Sequence, residues 1–460
     1  MHGIPGEVLP DCYFVSDWYT SGMNFVARGI FWSGVYVVLV LGPLFCLVVG
    51  PSPAGSGFLW DLSAACGFIG AAIMATMFLL TARFRRATAP FGIDLIYYFH
   101  RQIAVVGVVF ILLHPILLLV TEPRLVYFVR LHASPYHLDA GIGAFLCLAA
   151  LMVTSLWRKG LNIEYDHWRV AHVVLSVMTL VLTGLHIQGV GHYVNTAVSR
   201  LLWSGIMLSC VLVILYVRII KPLAMRRRPY RVCAINREPG NAWTLTLRPE
   251  NHAGFLFSPG QFAWLTLWHS PFAMKEHPFS IASSAEHPGE VRFTIKELGD
   301  FTRRLRQVKP GQIAYVDAPY GAFTPDRIRA PGYILVAGGI GIVPIMSMLR
   351  TLADRHDRRP LILFYAYNRW DDLTFRDELD ELQATLDLQI VFILKNQPEN
   401  WPGEVGLLRE ELLNRYLTPQ MRSFACLVCG PVAMLAVAEQ ALFRSGIPMR
   451  HIHSELFDLV

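Results

Sequence analysis

Six apolar stretches limit what the first half of this 460-residue chain can become. They lie at about residues 28–50, 58–82, 95–121, 138–157, 168–189 and 199–220. Each is long enough, at about 20 residues, to cross about 30 Å of hydrocarbon as a helix. In lipid every backbone N–H and C=O must find a partner inside the protein, which leaves helices or closed barrels. Six such stretches predict a six-helix transmembrane bundle. Charged residues make up 16% of the chain, too few for an ordinary soluble protein. From about residue 229 the pattern changes to short strand-like runs, turns and interspersed charge. The break falls in a basic stretch, 221–229, that holds Pro222 and Pro229 and reads as a linker.

Basic residues orient the bundle. Arg83, Arg85 and Arg86 follow the second stretch, Arg158 and Lys159 the fourth, and Lys221 and Arg226 to Arg228 the sixth. All three groups fall on one side, which makes that side cytoplasmic and puts both termini inside. Arg124, Arg130 and Arg200 lie opposite and weaken the bias without reversing it. The net charge of +6 is thus a topology signal, and no nucleic-acid pattern accompanies it. Residues 1–27 mix Trp18, Tyr19, Met23 and Phe25 with polar positions and suit an interfacial segment. Glu7, Asp11 and Asp17 stand where the basic region of a signal peptide belongs, so none is expected. The eight cysteines include one C-x-x-C, Cys426 and Cys429, with no second pair to complete a zinc or iron–sulfur set.

The third and fifth stretches each carry two histidines 14 positions apart, His100 with His114 and His172 with His186. At about 100° and about 1.5 Å per residue, 14 steps return to within about 40° of the starting direction, roughly 21 Å further along the axis. Both helices run outward, so His100 and His172 share the inner depth and His114 and His186 the outer. Ionisable groups inside a membrane are costly and signal function. One such histidine can simply bond a neighbouring helix. Four at equal spacing and matched depth predict axial ligands for two stacked haem b groups. Arg101 and Arg169 lie near the inner pair and could meet haem propionates. His132, His137, His167 and His192 fall at helix ends or in loops and read as solvated, with His192 a candidate for lining an outer pocket.

In the second half, runs such as 243–247 and 262–267 alternate like strands of a small antiparallel barrel. His277-Pro278-Phe279-Ser280-Ile281-Ala282-Ser283-Ser284 follows, then 294–302, T-I-K-E-L-G-D-F-T, opening a short helix from Thr302 to Val308. Past residue 321 strands and helices alternate. The strand 333–337 runs into Gly338-Gly339-Ile340-Gly341-Ile342-Val343-Pro344, and the strand 424–428 into Cys429-Gly430-Pro431. Glycines at a strand-to-helix turn let backbone approach a pyrophosphate.

These segments resemble the ferredoxin-reductase-like flavin and nicotinamide modules, in the form found in NADPH oxidases and ferric reductases of membranes. The resemblance implies FAD held by His277, Pro278, Phe279, Ser280 and Ser283, with Ser280 near the reactive edge. Lys296, Gly299 and Thr302 would meet the pyrophosphate. It implies a nucleotide held by Gly338, Gly339, Gly341, Pro344 and Gly430, with Cys429 beside the nicotinamide. Arg369, just after the strand 361–366, would meet a 2′-phosphate and favour NADPH, with NADH still possible. Phe457 matches the C-terminal aromatic that covers the flavin, although three residues follow it. The implied order is an interfacial segment 1–27, a di-haem bundle 28–222, an antiparallel β-barrel FAD domain 229–327 and an α/β Rossmann-like nucleotide domain 328–460.

The expected function is a transmembrane NAD(P)H oxidase of a bacterial inner membrane, with its flavin and nucleotide domains cytoplasmic. Electrons would pass from NAD(P)H through FAD and two haem b groups to O2 on the outer side, giving superoxide. A ferric chelate, or a periplasmic protein fed by relay, is the alternative acceptor, and a haemless bundle anchoring a flavin reductase is a third reading. No D-x-D-x-D-G calcium loop or SH3-type proline target is present, so no obligatory cytosolic activator is expected.

Overall fold

A computed structural model describes residues 25–49, 57–84, 92–124 and 135–456. Arg85, Arg86, Arg130, His132, Phe457 and most of the N-terminal segment lie outside the described residues. The first half is helical: α1 Phe25–Val49, α2 Phe58–Thr81, α3 Ile93–Thr121, α4 Tyr136–Leu156, α5 Tyr165–Val190 and α6 Ala197–Leu215. Among the described residues, five helices, α2 to α6, are long and apolar enough to cross a membrane. The sequence predicts six. Among the described residues, α1 adds a further apolar stretch, Gly29–Phe45.

Small residues let these helices approach one another. Lipid supplies no hydrophobic drive between helices, so close backbone packing must. Ala71, Ala72 and Ala75 of α2 are buried, Ala75 against Leu180 of α5 and Cys210 of α6. Val109, Leu112, Ile116 and Val120 of α3 instead face outward and are exposed, the apolar surface a bilayer would cover.

The segment after α6 departs from the expected linker. The helix runs on through a wide π turn, Tyr216–Ile220, into Lys221–Arg226. Pro222 has no N–H for the carbonyl four residues back, and the wide turn ahead of it absorbs that loss. The chain therefore enters the second half on a rigid helical arm.

Six antiparallel strands form the next module: β1 Tyr230–Glu238, β2 Ala242–Pro249, β3 Phe262–Leu267, β4 His277–Ser280, β5 Val291–Lys296 and β6 Ile313–Tyr320, side by side as β4-β3-β6-β1-β2-β5. The sheet rolls until its edges meet: Ile281, just past β4, bridges Phe293 of β5, and the Ala282 N–H donates to the Arg292 carbonyl over 2.7 Å. Leu245, Leu247, Ala263, Leu265, Ile281 and Phe293 fill the interior.

The last module is a six-stranded parallel sheet in the order β10-β9-β8-β7-β11-β12. Its strands are β7 Tyr333–Gly338, β8 Leu361–Arg369, β9 Leu388–Asn396, β10 Glu404–Val405, β11 Ala425–Gly430 and β12 Ile452–Leu456. Helices bury both faces, which explains the unbroken apolar runs of β7 and β11. Strand order reverses between β7 and β11. In open α/β sheets ligands bind in the crevice at such a point, beyond the C-terminal strand ends.

Candidate functional site

α3 and α5 bring the four membrane histidines together as two facing pairs. The His100 and His172 rings stand 6.5 Å apart between centroids at 61°, and those of His114 and His186 stand 6.2 Å apart at 69°. Two imidazoles each bonded to one metal at about 2 Å leave their centroids about 6 Å apart. All four rings line one cavity of about 1310 Å³, otherwise walled largely by apolar side chains.

The outer rings are held from behind. His114 Nδ1 lies 2.9 Å from the Ser63 carbonyl and 3.1 Å from its Oγ. His186 Nδ1 lies 2.8 Å from the His137 carbonyl. A β-carbon on Gly141 would stand 2.7 Å from His186 Nδ1, so α4 carries glycine where that ring needs room. In the inner pair His172 Nδ1 faces Ser155 Oγ at 3.2 Å, and His100 Nδ1 is buried without a partner among the described residues. Bonding a ring through Nδ1 fixes its tautomer and offers Nε2 to a metal. Geometry, apolar walls and ring orientation therefore fit two bis-histidine haems.

The inner end of this cavity abuts the antiparallel module. Glu276, one residue before β4, binds both Arg83, at 3.2 Å, and Arg169, which also donates to the Met274 carbonyl over 3.0 Å. Arg169 is thus part of the docking contact. Burial alone would raise the Glu276 carboxyl, but Arg83 and Arg169 outweigh it and hold the group below its ordinary range. Lys221 on the helical arm lies 2.7 Å from both Asp317 and the Tyr320 hydroxyl. The Arg83 guanidinium stacks 3.6 Å over Trp264. Trp264 lines the haem-sized cavity and stands opposite Pro278 in the β3–β4 register, so one side chain touches both halves of the chain.

In the H-P-F-S segment, His277 and Phe279 both pack on Phe301, at 4.0 and 5.8 Å between centroids. Burial pushes the His277 imidazole below its ordinary value. Ser280 pairs with Phe262 across the strands, and Ser283 Oγ accepts the Arg292 N–H over 3.2 Å. Lys296 reaches 5.4 Å from the Tyr367 ring of β8. The helix expected from Thr302 starts earlier, at Asp300, because Thr302 Oγ1 folds back to accept the Leu298 and Gly299 N–H groups at 2.8 and 2.9 Å. Those two amides are taken, so the expected pyrophosphate contact through them does not form in this arrangement.

At the switch point the two glycine turns interlock. A β-carbon on Gly341 would lie 2.4 Å from the Cys429 carbonyl oxygen, and one on Gly338 would lie 2.3 Å from Met434 Sδ. A β-carbon on Gly430 would lie 2.5 Å from Met434 Cε and 3.2 Å from Gly338 Cα, and Gly339 supplies a positive φ of 56°. Pro344 sits in the first turn of the helix Ile342–Asp354, where no N–H is missed. Gly341→Ala should therefore cost about 1–3 kcal/mol by overpacking, read as a lower unfolding temperature together with weaker nucleotide binding. The Cys429 thiol is fully buried; burial, with Glu455 opposite it on β12, raises it well above its ordinary value. Arg369 ends β8 with its side chain 65% exposed and 4.0 Å from Asp371, open to a phosphate.

Ser63, Ser155, Trp264, Glu276 and Glu455 were not singled out by the sequence. Only Glu276 carries a local signal, an acid directly before H-P-F-S. His167 is exposed as expected and pairs with Glu164 at 3.0 Å, whereas His192 has its Nε2 buried without a partner among the described residues and lines the cavity.

Comparison with known families agrees with this division. Residues 66–183 match the ferric reductase like transmembrane component, residues 229–322 an FAD-binding domain and residues 335–440 the oxidoreductase NAD-binding domain. Among curated proteins, the reductase component of propane 2-monooxygenase from Rhodococcus jostii is 29% identical over 49% of this chain and 62% of its own length. NADH-cytochrome b5 reductase 1 from Cryptococcus neoformans is 30% identical over 36% of this chain and 59% of its own. The chain thus spans about three-fifths of the length of these relatives. Among solved structures, the FAD/NAD-binding domain of nitric oxide dioxygenase from Vibrio cholerae superposes on 50% of this chain and 98% of its own, with a TM-score of 0.45 and 22% identity.

Proposed function

We propose that this chain, which belongs to the family joining a ferric-reductase-like transmembrane component to FAD-binding and NAD-binding modules, is a transmembrane NAD(P)H oxidase. One observation carries the reading: two facing histidine pairs share one apolar cavity whose inner end meets the flavin module at Trp264 and Arg83. With cofactors bound, NAD(P)H would give a hydride to FAD, and FAD would release its electrons singly to two b-type haems.

The protein's own residues orient and insulate. Gly338, Gly339, Gly341 and Gly430 let backbone approach a dinucleotide at the switch point, and Arg369 favours NADPH by offering an exposed guanidinium where a 2′-phosphate would fall. Pro278, Phe279 and Ser280 line the flavin site on the antiparallel barrel, and Phe457 would cover the ring. His100 with His172 would hold an inner haem and His114 with His186 an outer one, while the apolar cavity walls exclude water. Glu276, Arg83, Arg169, Lys221 and Asp317 clamp the flavin module to the bundle. The basic residues Arg83, Arg158, Lys159 and Arg226 to Arg228 fall on the side of the soluble modules, which supports a bacterial inner-membrane protein with those modules in the cytoplasm.

We propose O2 as the acceptor, giving superoxide. Leu118, Leu119, Val190 and Val194, with His192, line the outer end of the cavity and suit a small uncharged molecule better than a bulky chelate. Sealed inside-out vesicles test this, with NADPH outside and cytochrome c trapped within. Cytochrome c reduction abolished by lumenal superoxide dismutase is the expected result. Fast turnover of a trapped ferric chelate, with no dismutase-sensitive signal, would replace O2 by the chelate.

A further inference from the structure

The helix Ile342–Asp354 leaves the glycine turn of the parallel module and lays a polar stripe along the antiparallel one, on the segment just past β4. Ser347, Arg350, Thr351, Asp354 and Arg355 follow the spacing i, i+3, i+4, i+7 and i+8, so they share one face. Ser347 Oγ donates to the Ser283 carbonyl over 2.8 Å, and the Arg350 guanidinium donates to the Ala282 carbonyl. Thr351 Oγ1 gives its own proton to the Ser347 carbonyl over 2.7 Å, which leaves its lone pairs to accept the Ala285 N–H at 2.9 Å. Asp354 and Arg355 reach on to His287, at 3.3 Å, and Glu286, at 2.6 Å.

The contact is buried and braced. Ser347 and Thr351 are fully buried and Ser283 nearly so. Glu378 grips the Arg350 guanidinium from behind with two bonds, at 2.6 and 2.5 Å. A β-carbon on Gly260, two residues before β3, would lie 2.4 Å from Met348 Cε, so the barrel presses on the same helix. Buried hydrogen bonds are costly to leave unmade, which ties helix and segment into one unit.

Each end of that unit belongs to a different binding site. At one end stand Gly338, Gly339 and Gly341. At the other, residues 282–285 continue the H-P-F-S strand. β4 is the last strand in its sheet, and the sheet closes only past it, at Ile281, so the His277–Ser280 edge stays open. An open edge presents unpaired backbone donors and acceptors, which fits the polar rim of an isoalloxazine.

We propose that Ser347, Arg350 and Thr351 are positioning residues that couple the two sites. A dinucleotide at the glycine turn fixes the helix, the helix fixes residues 282–285, and FAD then meets a segment already in place. The second ligand loses less to ordering than the first. Such coupling is reciprocal, so FAD strengthens dinucleotide binding by the same factor. This rests on the flavin and nucleotide assignments above, and it concerns binding alone, with no electron transfer.

Titration of the full chain, stripped of flavin, with FAD tests this by flavin fluorescence, with and without saturating NADP+. FAD should bind about tenfold more tightly when NADP+ is present. Thr351→Val keeps the shape but removes the acceptor, and should erase that factor. Thr351→Ser keeps the hydroxyl and should restore it. Ser347→Ala, a smaller change, should lower the same factor and decides the matter if Thr351→Val does not fold. NADP+ affinity of the flavin-free protein should be equal in all of them, because the glycine turn is untouched. Hydrogen exchange of the peptide 281–287 in flavin-free protein should slow with NADP+ in the parent and in Thr351→Ser, but not in Thr351→Val. A merely structural role would weaken FAD binding equally with and without NADP+. That result, or a parent whose FAD affinity ignores NADP+, would overturn the coupling. A parent that binds no FAD at all would instead sink the flavin assignment itself.

Discussion

His172→Leu is expected to reduce haem content from two per chain to one and to stop electron flow across the bilayer. The imidazole of His172 faces His100 at 6.5 Å between centroids, and leucine offers no nitrogen to complete that pair. NADPH should still reduce the flavin at the parental rate, since the nucleotide and flavin residues lie in other modules. Transfer to an outer acceptor should fall more than about a hundredfold, beyond what loss of a supporting group behind a ligand costs. Stopped-flow absorbance under anaerobic conditions separates the two steps. Full haem reduction in this variant would show that the inner pair is assigned wrongly.

Glu276→Leu should uncouple the halves of the molecule without destroying either. The substitution leaves Arg83 and Arg169, with side chains 15% and 11% exposed, facing each other without their shared carboxylate. Breaking one partner of a buried ion pair costs about 3–5 kcal/mol. The expected readout is rapid hydrogen exchange in β3 and β4, with flavin reduction retained and haem reduction slowed. Acid should act the same way on the parent protein. The folded-state value of Glu276 is depressed, so its contribution is complete above the unfolded value of about 4.3 and is lost as pH falls through the lower folded one. Exchange that is unchanged in Glu276→Leu, and unchanged in the parent protein taken below the depressed folded value of Glu276, would mean that other contacts hold the modules together.

Much of this arrangement is legible in the sequence because it rests on local periodicity. The spacing of 14 between His100 and His114, and between His172 and His186, survives translation into structure because both pairs sit within single helices. Basic loops give the direction of those helices, and glycine turns after β7 and β11 announce close backbone approach. What stayed hidden is what the tertiary fold alone brings together. Arg169 and Glu276 are 107 residues apart, and Ser63 and His114 are 51 apart, so no repeat or motif links them. Pro222 reads as a breaker, yet a preceding wide turn lets the helix continue. Thr302 reads as an open phosphate contact, yet its hydroxyl closes on the amides of Leu298 and Gly299 within its own turn.

The central claim is that one chain holds two haems and a flavin in series. A reduced-minus-oxidised spectrum with a pyridine haemochrome count, taken on purified protein after anaerobic addition of NADPH, tests it most directly. The account predicts two haem b per FAD, both reduced through the flavin by NADPH. A protein without a Soret band, or one whose haems stay oxidised while its flavin is fully reduced, would contradict it.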